Sequence, residues 1–408
     1  MRVFVVPTWH PTATRPLWCN WILPHIALLR ENGVEAYVLQ VGLDGEPVRE
    51  ETAPWTQPIR FLNDHHLYVP VPVPARPYQR TSLFYGAYLR RYAERMREVY
   101  RLAVRKWGRP DILHAHVSLP GGYLAAQLGQ EFGIPVIVQE HYSGFESDAR
   151  FPWRVGCFVR EMGARIQGFY AVSPGQAARI ERTGLVSVTG VLPNPIDTDL
   201  FTLAPREQND SSGSFDIVTA GNMNLPKGAD LLFEALHRLP AEIDWRLTIF
   251  GDIPHRKTFA RWLDDPWFSS RLSSLGKVPQ PELARAYSQS DLYVVSSRIE
   301  TANVSMLQAM ACGVPVVTTS CGAPETLIDD SVGISVKPND PQALAEGILE
   351  FVRSPRRFDP QLLRRFVVER YSKRVVAEQV IEVYRRTLRN GGSWVRNVEN
   401  GSRLPEKA

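Results

Sequence analysis

Hydrophobic residues fall in short runs along this chain, and each run leads through a turn into helical periodicity, with apolar positions three and four apart. RVFVV, from Arg2 to Val6, predicts the first strand. The loop PTWHPTATRPLWCN opens into the helix WILPHIALLRENG, which Gly33 closes as a C-cap, and VEAYVLQV returns as a strand. PDILHAHV, PVIVQEH and GFYAV repeat the strand pattern, with GGYLAAQLGQEFG and SPGQAARIERTG as accompanying helices. LYVPVPVP is an edge strand or extended segment, because its prolines remove ladder donors. Short apolar strands that alternate with helices belong to a parallel sheet covered on both faces.

The rhythm breaks at the polar stretch APREQNDSSGSF and then restarts. DIVTAG, WRLTIFGD, DLYVVSS and PVVTTS are strands; KGADLLFEALHRLP, PELARAYSQS, SMLQAMACG and PQALAEGILEFV are helices, ahead of a helical stretch from about Pro360 to Arg389. The expected organisation is two Rossmann-like α/β domains, 1–206 and 207–375, with a C-terminal helix and polar tail, 376–408, packing back on the first. Open parallel sheets bind ligands beyond the carboxyl ends of their strands, so the expected site is a cleft between the two domains.

With 408 residues, 44% hydrophobic and 22% charged, the composition is that of an ordinary globular protein and excludes collagen, coiled coil and disordered chains. A net charge of +4 offers no argument for a nucleic-acid partner. The four cysteines form no CxxC, so neither a disulfide framework nor a structural zinc site is expected. The N-terminal apolar run is too short for a signal peptide, and no window of about 20 residues is apolar enough to span a bilayer. A cytoplasmic setting is the expectation. Arginine crowds the helical stretch from Arg80 to Lys106. That stretch is either a solvated helix face or a basic surface that rests on anionic membrane or receives an anionic acceptor.

Only seven of the 47 basic residues are lysine, which draws attention to Lys227 in TAGNMNLPKGADLL, where a strand gives way to a helix start. A lysine beside free backbone N–H groups forms an anion site, although no GxxxxGK[ST] loop is present. In SSRIETANVSMLQAMACGVPVVTTSCGAPE, Glu300 follows a strand, Gln308 lies on the next helix and Glu325 follows the next strand. A carboxylate there accepts hydrogen bonds from sugar hydroxyls while backbone amides hold phosphate; a helix-cap partner is the structural alternative for Glu300. His114, His116 and His141 lie at predicted strand ends, the first two on the same side of their strand. No carboxylate or cysteine completes a ligand set with them, so no metal is expected. Asp264 and Asp265 are adjacent and do not make a DxD arrangement.

Taken together, these motifs resemble the retaining glycosyltransferases of family 4, over nearly the whole chain. The resemblance is carried by DILHAH, PVIVQEH, AVSPGQAARI and VLPNPIDTDLF in the first half, and by AGNMNLPKG and the block from Ser296 to Glu325 in the second. It implies the GT-B fold, with the N-terminal domain presenting the acceptor and the C-terminal domain binding a nucleoside diphosphate sugar, without cofactor or metal. It implies catalytic roles for Lys227 at the diphosphate, Glu300 at the donor sugar and His141 close to the transferred sugar. Asn222, Ala302, Asn303, Val304, Gln308 and Glu325 fall at donor-binding positions, Gln308 at the ribose. His116, Cys19 and Asn20 fall on the acceptor side. The implied activity is retaining transfer of a hexosyl-type sugar to a hydroxyl of a saccharide or lipid-linked acceptor, in polysaccharide or glycoconjugate biosynthesis.

Four positions depart from the family pattern. Asn222 stands in place of an arginine, Gln308 in place of the second glutamate of a pair, and Asn303 and Cys19 in place of glycines. They keep open a second possibility, a weakened or non-catalytic nucleotide-sugar binder of the same fold. A dinucleotide enzyme is disfavoured, because PTWHPTATRPLWCN contains no glycine where GxGxxG would fall.

Overall fold

The computed structural model describes residues 1–9, 22–42, 59–70, 82–145, 150–205, 214–354 and 358–400. The chain forms two compact units. One holds Met1–Val172, Ala177–Leu192 and the chain from Ala377 onward; the other holds Ser173–Gln176 and Pro193–Val376.

The first unit is built on eight strands: β1 (Arg2–Pro7), β2 (Glu35–Gly42), β3 (Arg60–Asn63), β4 (His66–Pro70), β5 (Ile112–His116), β6 (Val136–Glu140), β7 (Gly168–Ala171) and β8 (Gly190–Val191). They lie in the order β3-β4-β2-β1-β5-β6-β7-β8, parallel throughout except for the antiparallel β3–β4 pair. Every residue of β5 and β6 is buried. Helices cover both faces, so ILHAH and VIVQE are buried on both sides, polar residues included. Helix Arg150–Gly163 has no counterpart among the sequence expectations. Its signal is nonetheless present: Val155, Phe158, Val159 and Met162 recur at helical spacing, and Val159 and Met162 are wholly buried.

The second unit has six strands, β9 (Phe215–Ala220), β10 (Trp245–Phe250), β11 (Leu272–Ser274), β12 (Leu292–Val295), β13 (Val316–Thr319) and β14 (Gly333–Val336). Their order is β11-β10-β9-β12-β13-β14, all parallel. In each sheet the winding direction reverses once, between β1 and β5 in the first and between β9 and β12 in the second. Loops leaving the carboxyl ends of such a strand pair form the crevice in which open α/β sheets bind ligands.

The units divide between Leu192 and Pro193, ahead of the polar stretch. Ile196 bridges Ser372. Arg364, on helix Pro360–Tyr371, donates to the carbonyls of Thr198 at 2.9 Å, Phe201 at 2.9 Å and Ala311 at 3.1 Å. One guanidinium thus ties the segment after β8 to the second unit. The final helix, Lys373–Asn400, places Tyr384 wholly buried in the first unit. Among the described residues, no helix is long and apolar enough to cross a membrane.

Candidate functional site

In the second unit the loops that leave β9 and β12 meet at the reversal point. After β9 the chain turns through Asn222 to Lys227 and Gly228, which begins helix Ala229–His237 with φ of 67°. A Cβ at position 228 would run into the Ser296 carbonyl, so only glycine lets the two loops approach this closely. Ser296 Oγ donates to the Lys227 carbonyl at 3.0 Å, and Arg298 N donates to the Pro226 carbonyl at 2.8 Å. The Arg298 guanidinium then grips Asp230 with both arms, at 2.8 and 2.7 Å. Burial pushes the Asp230 carboxyl up, but Arg298 and the backbone N–H groups of Asp230 and Leu231 together outweigh burial and hold it below the usual carboxylate range.

This frame presents Lys227 to Glu300. Lys227 Nζ lies 2.7 Å from Glu300 Oε1, and the same oxygen accepts from Ser297 Oγ at 2.8 Å and Asn303 Nδ2 at 3.1 Å. Glu300 is only 7% exposed, so this cation and two neutral donors are what make its burial tolerable. Asn303 stands where the family resemblance leads one to expect glycine, and its φ of 55° explains why asparagine serves: it tolerates the left-handed region. Its Oδ1 also accepts from Met306 N at 3.0 Å and so caps helix Val304–Ala311. One side chain therefore starts the helix and fixes the acid.

Of the other expected donor residues, Ala302 is buried beside Asn303, Val304 is the first residue of the helix and Gln308 is buried further along it. Asn222 is exposed in the Lys227 loop. Glu325 is in a separate arrangement after β13: its Oε1 accepts from Gly322 N at 2.6 Å, and its Oε2 is buried without a hydrogen-bond partner among the described residues. Ser173 belongs to this unit as well, donating through Oγ to the Thr301 carbonyl at 2.6 Å.

In the first unit the corresponding strand ends carry histidines. His116 closes β5 and His141 follows β6, with His116 Nδ1 and His141 Nε2 at 2.9 Å. The His114 ring lies 4.3 Å from that of His116, as expected for residues on one side of a strand. His25, on helix Ile22–Glu31, sets its ring edge-on to both, at 5.4 Å from His116 and 5.8 Å from His141. His114 Nδ1 is 2.7 Å from the Tyr384 hydroxyl. Burial pushes the His114 imidazole down to about 3, with repulsion from His25 adding to it. His116 is likewise pushed well below its ordinary value, by burial first and then by the neighbouring imidazoles. At neutral pH the His114 and His116 rings are therefore uncharged. His116 is 1% exposed and meets His141 rather than solvent. Cys19 and Asn20 lie outside the described residues. Among the described residues, no group of three or more histidine, cysteine, aspartate or glutamate side chains stands where it could hold a metal ion.

The sequence by itself does not mark Ser297, Arg298, His25 or Tyr384. Each acts through a contact with a partner distant in sequence or through a turn that no short motif announces.

Two family models match the chain: Glycosyltransferase Family 4 over residues 25–200 and Glycosyl transferases group 1 over residues 214–354. Among curated relatives, D-inositol 3-phosphate glycosyltransferase 1 of Catenulispora acidiphila is 27% identical over 282 residues, covering 62% of this chain and 66% of that protein. The GDP-mannose-dependent alpha-(1-6)-phosphatidylinositol monomannoside mannosyltransferase of Mycolicibacterium smegmatis is 30% identical over 181 residues, covering 41% of this chain and 47% of that protein. The chain thus spans less than two thirds of the length of these relatives. Sucrose-phosphate synthase from Thermosynechococcus elongatus superposes with a TM-score of 0.72 at 18% identity, covering 94% of this chain and 98% of the other. HepE of Anabaena in complex with UDP gives 0.69 at 15%, covering 94% and 99%. Two parallel-sheet units, a matching model on each half and GT-B neighbours across nearly the whole length converge: the chain belongs to the family 4-like glycosyltransferases of the GT-B fold.

Proposed function

We propose that this chain transfers a hexosyl-type sugar, with retention at the anomeric carbon, from a nucleoside diphosphate sugar to a hydroxyl of a saccharide or lipid-linked acceptor, in polysaccharide or glycoconjugate biosynthesis. The observation that carries the proposal is the Lys227–Glu300 pair, 2.7 Å apart at the reversal point of the second sheet and beside the start of helix Val304–Ala311. A lysine and unpaired helix N–H groups neutralise the charge that grows on a departing diphosphate. Glu300 is an acceptor-only group suited to sugar hydroxyls once Lys227 turns to phosphate. No enzyme nucleophile is needed: the leaving phosphate takes the proton of the acceptor hydroxyl attacking on the same face, and the protein supplies cations, amides and alignment. His141 would lie close to the oxocarbenium-like sugar, and the reaction is written without a metal.

The relatives support this choice of substrates. One is named for inositol phosphate, another for GDP-mannose and a phosphatidylinositol glycoside, and the HepE structure contains UDP. Helix Ser82–Trp107 exposes Arg90, Arg91, Arg101 and Arg105, which suits an anionic acceptor or peripheral contact with an anionic membrane at the cytoplasmic face. Calorimetric titration with uridine- and guanosine-linked diphosphate sugars, without added metal, tests the donor side. Saturable binding of one of them, lost in Lys227→Ala, and release of the nucleoside diphosphate on adding an acceptor are the expected results. Binding without turnover favours the second reading, a non-catalytic nucleotide-sugar binder, to which the neutral Asn222 and Gln308 lend weight.

A further inference from the structure

We propose that Glu140 is a positioning residue that holds the His116–His141 pair in register by gripping the backbone of the two loops that carry it. This rests on the first unit being the acceptor-side half of a glycosyltransferase. Glu140 ends β6 directly before His141 and is wholly buried. A buried carboxylate is costly unless its oxygens are satisfied, and here both are. Oε1 accepts the N–H groups of His141 at 2.9 Å and Tyr142 at 2.8 Å. Oε2 accepts the N–H of Ser118 at 2.9 Å and, in addition, the Ser118 hydroxyl. The carboxylate therefore straps the turn after β6 to the turn after β5, and His116 and His141 are the residues leading into those turns.

The second observation is strain beside the strap. Val117, between His116 and Ser118, has φ of 73°, a conformation that β-branched residues avoid. Such strain persists only where the surroundings over-determine it, and it gathers at functional sites. Val117 N donates to the Gln139 carbonyl at 2.8 Å, and the Val117 carbonyl accepts from Gly122 N at 2.9 Å and Thr8 Oγ1 at 3.4 Å. Glu140 secures the next residue. The kink sets the course of the chain leaving His116, whose Nδ1 meets His141 Nε2 at 2.9 Å.

Glu140→Gln tests this in the full-length protein. It keeps the shape but turns an amide N–H toward at least one backbone N–H. Imidazole NMR spectra of the histidine-labelled protein should show the His116 and His141 signals displaced, with those of His237 and His255 in the second unit unmoved. With a nucleotide sugar that the wild type turns over, kcat should fall about tenfold or more while the donor KM stays within about twofold, because misplacement costs rate rather than donor affinity. Ser118→Ala removes a single donor and should displace the same two signals less, which decides the matter if Glu140→Gln does not fold. Imidazole signals at their wild-type positions in the folded variant overturn the proposal, as does turnover lost only in proportion to folded protein. A wild type that turns over no nucleotide sugar removes the transferase reading, while the imidazole spectra still decide what Glu140 does.

Discussion

Acidification offers a quantitative test of the histidine stack. His114 is 1% exposed, its Nδ1 faces the Tyr384 hydroxyl, and burial brings its pKa from 6.5 to about 3. Between those values the unfolded chain binds a proton that the folded unit refuses. The stability contributed by a neutral buried His114 is therefore complete above about pH 6.5 and is lost as the pH falls toward 3, at about 1.4 kcal/mol per pH unit. From pH 7 to pH 5 the loss from this residue alone is about 2 kcal/mol. His116, also pushed down, adds in the same direction. The assay is urea unfolding followed by circular dichroism across this range, comparing the wild type with the double variant His114→Phe/Tyr384→Phe. Replacing both residues with rings of similar shape removes both ends of the His114–Tyr384 bond together and should change stability far less at pH 7.5 than either single replacement. Differencing the two proteins cancels the titrating groups that His114 does not influence, and the wild type should lose about 2 kcal/mol more than the variant between pH 7 and pH 5. Parallel pH profiles would refute the idea that His114 is held neutral.

Other outcomes follow from the second unit. Lys227→Ala should lower kcat/KM about 100-fold in a nucleotide-release assay, near the effect of losing one donor to a developing anion; retention of full activity would remove Lys227 from the diphosphate site. Arg298→Met leaves Asp230 half-buried without its bidentate partner and should cost about 1–3 kcal/mol in thermal unfolding, with weaker nucleotide-sugar binding because the Lys227 loop loses its strap. Gly228→Ala should destabilise by at least about 1 kcal/mol, since position 228 has φ of 67° and its Cβ would meet the Ser296 carbonyl; an unchanged melting temperature would show that the two loops can move apart.

Much of this protein is legible in its sequence because strands and helices announce themselves through local period. The runs ILHAH, VIVQE and VVTT are short, and every residue in them is buried because helices cover both sides of a parallel sheet; their alternation with helical periodicity predicts α/β units, twice over. Lys227 before a helix start and Glu300 after a strand are equally local signals. Other features are decided only by tertiary structure, because they depend on strand order and on contacts far apart in the chain, about which period says nothing. The reversal between β9 and β12 is what brings Lys227 to Glu300, 73 residues away. Arg298 finds Asp230 across 68 residues, and His114 finds Tyr384 across 270. Asn303, by composition a mere departure from a glycine position, becomes cap and clamp only once its left-handed backbone is known. Sequence determined which side chains are available; packing determined which of them meet, because a buried charge or ring is stable only where the fold delivers its partner.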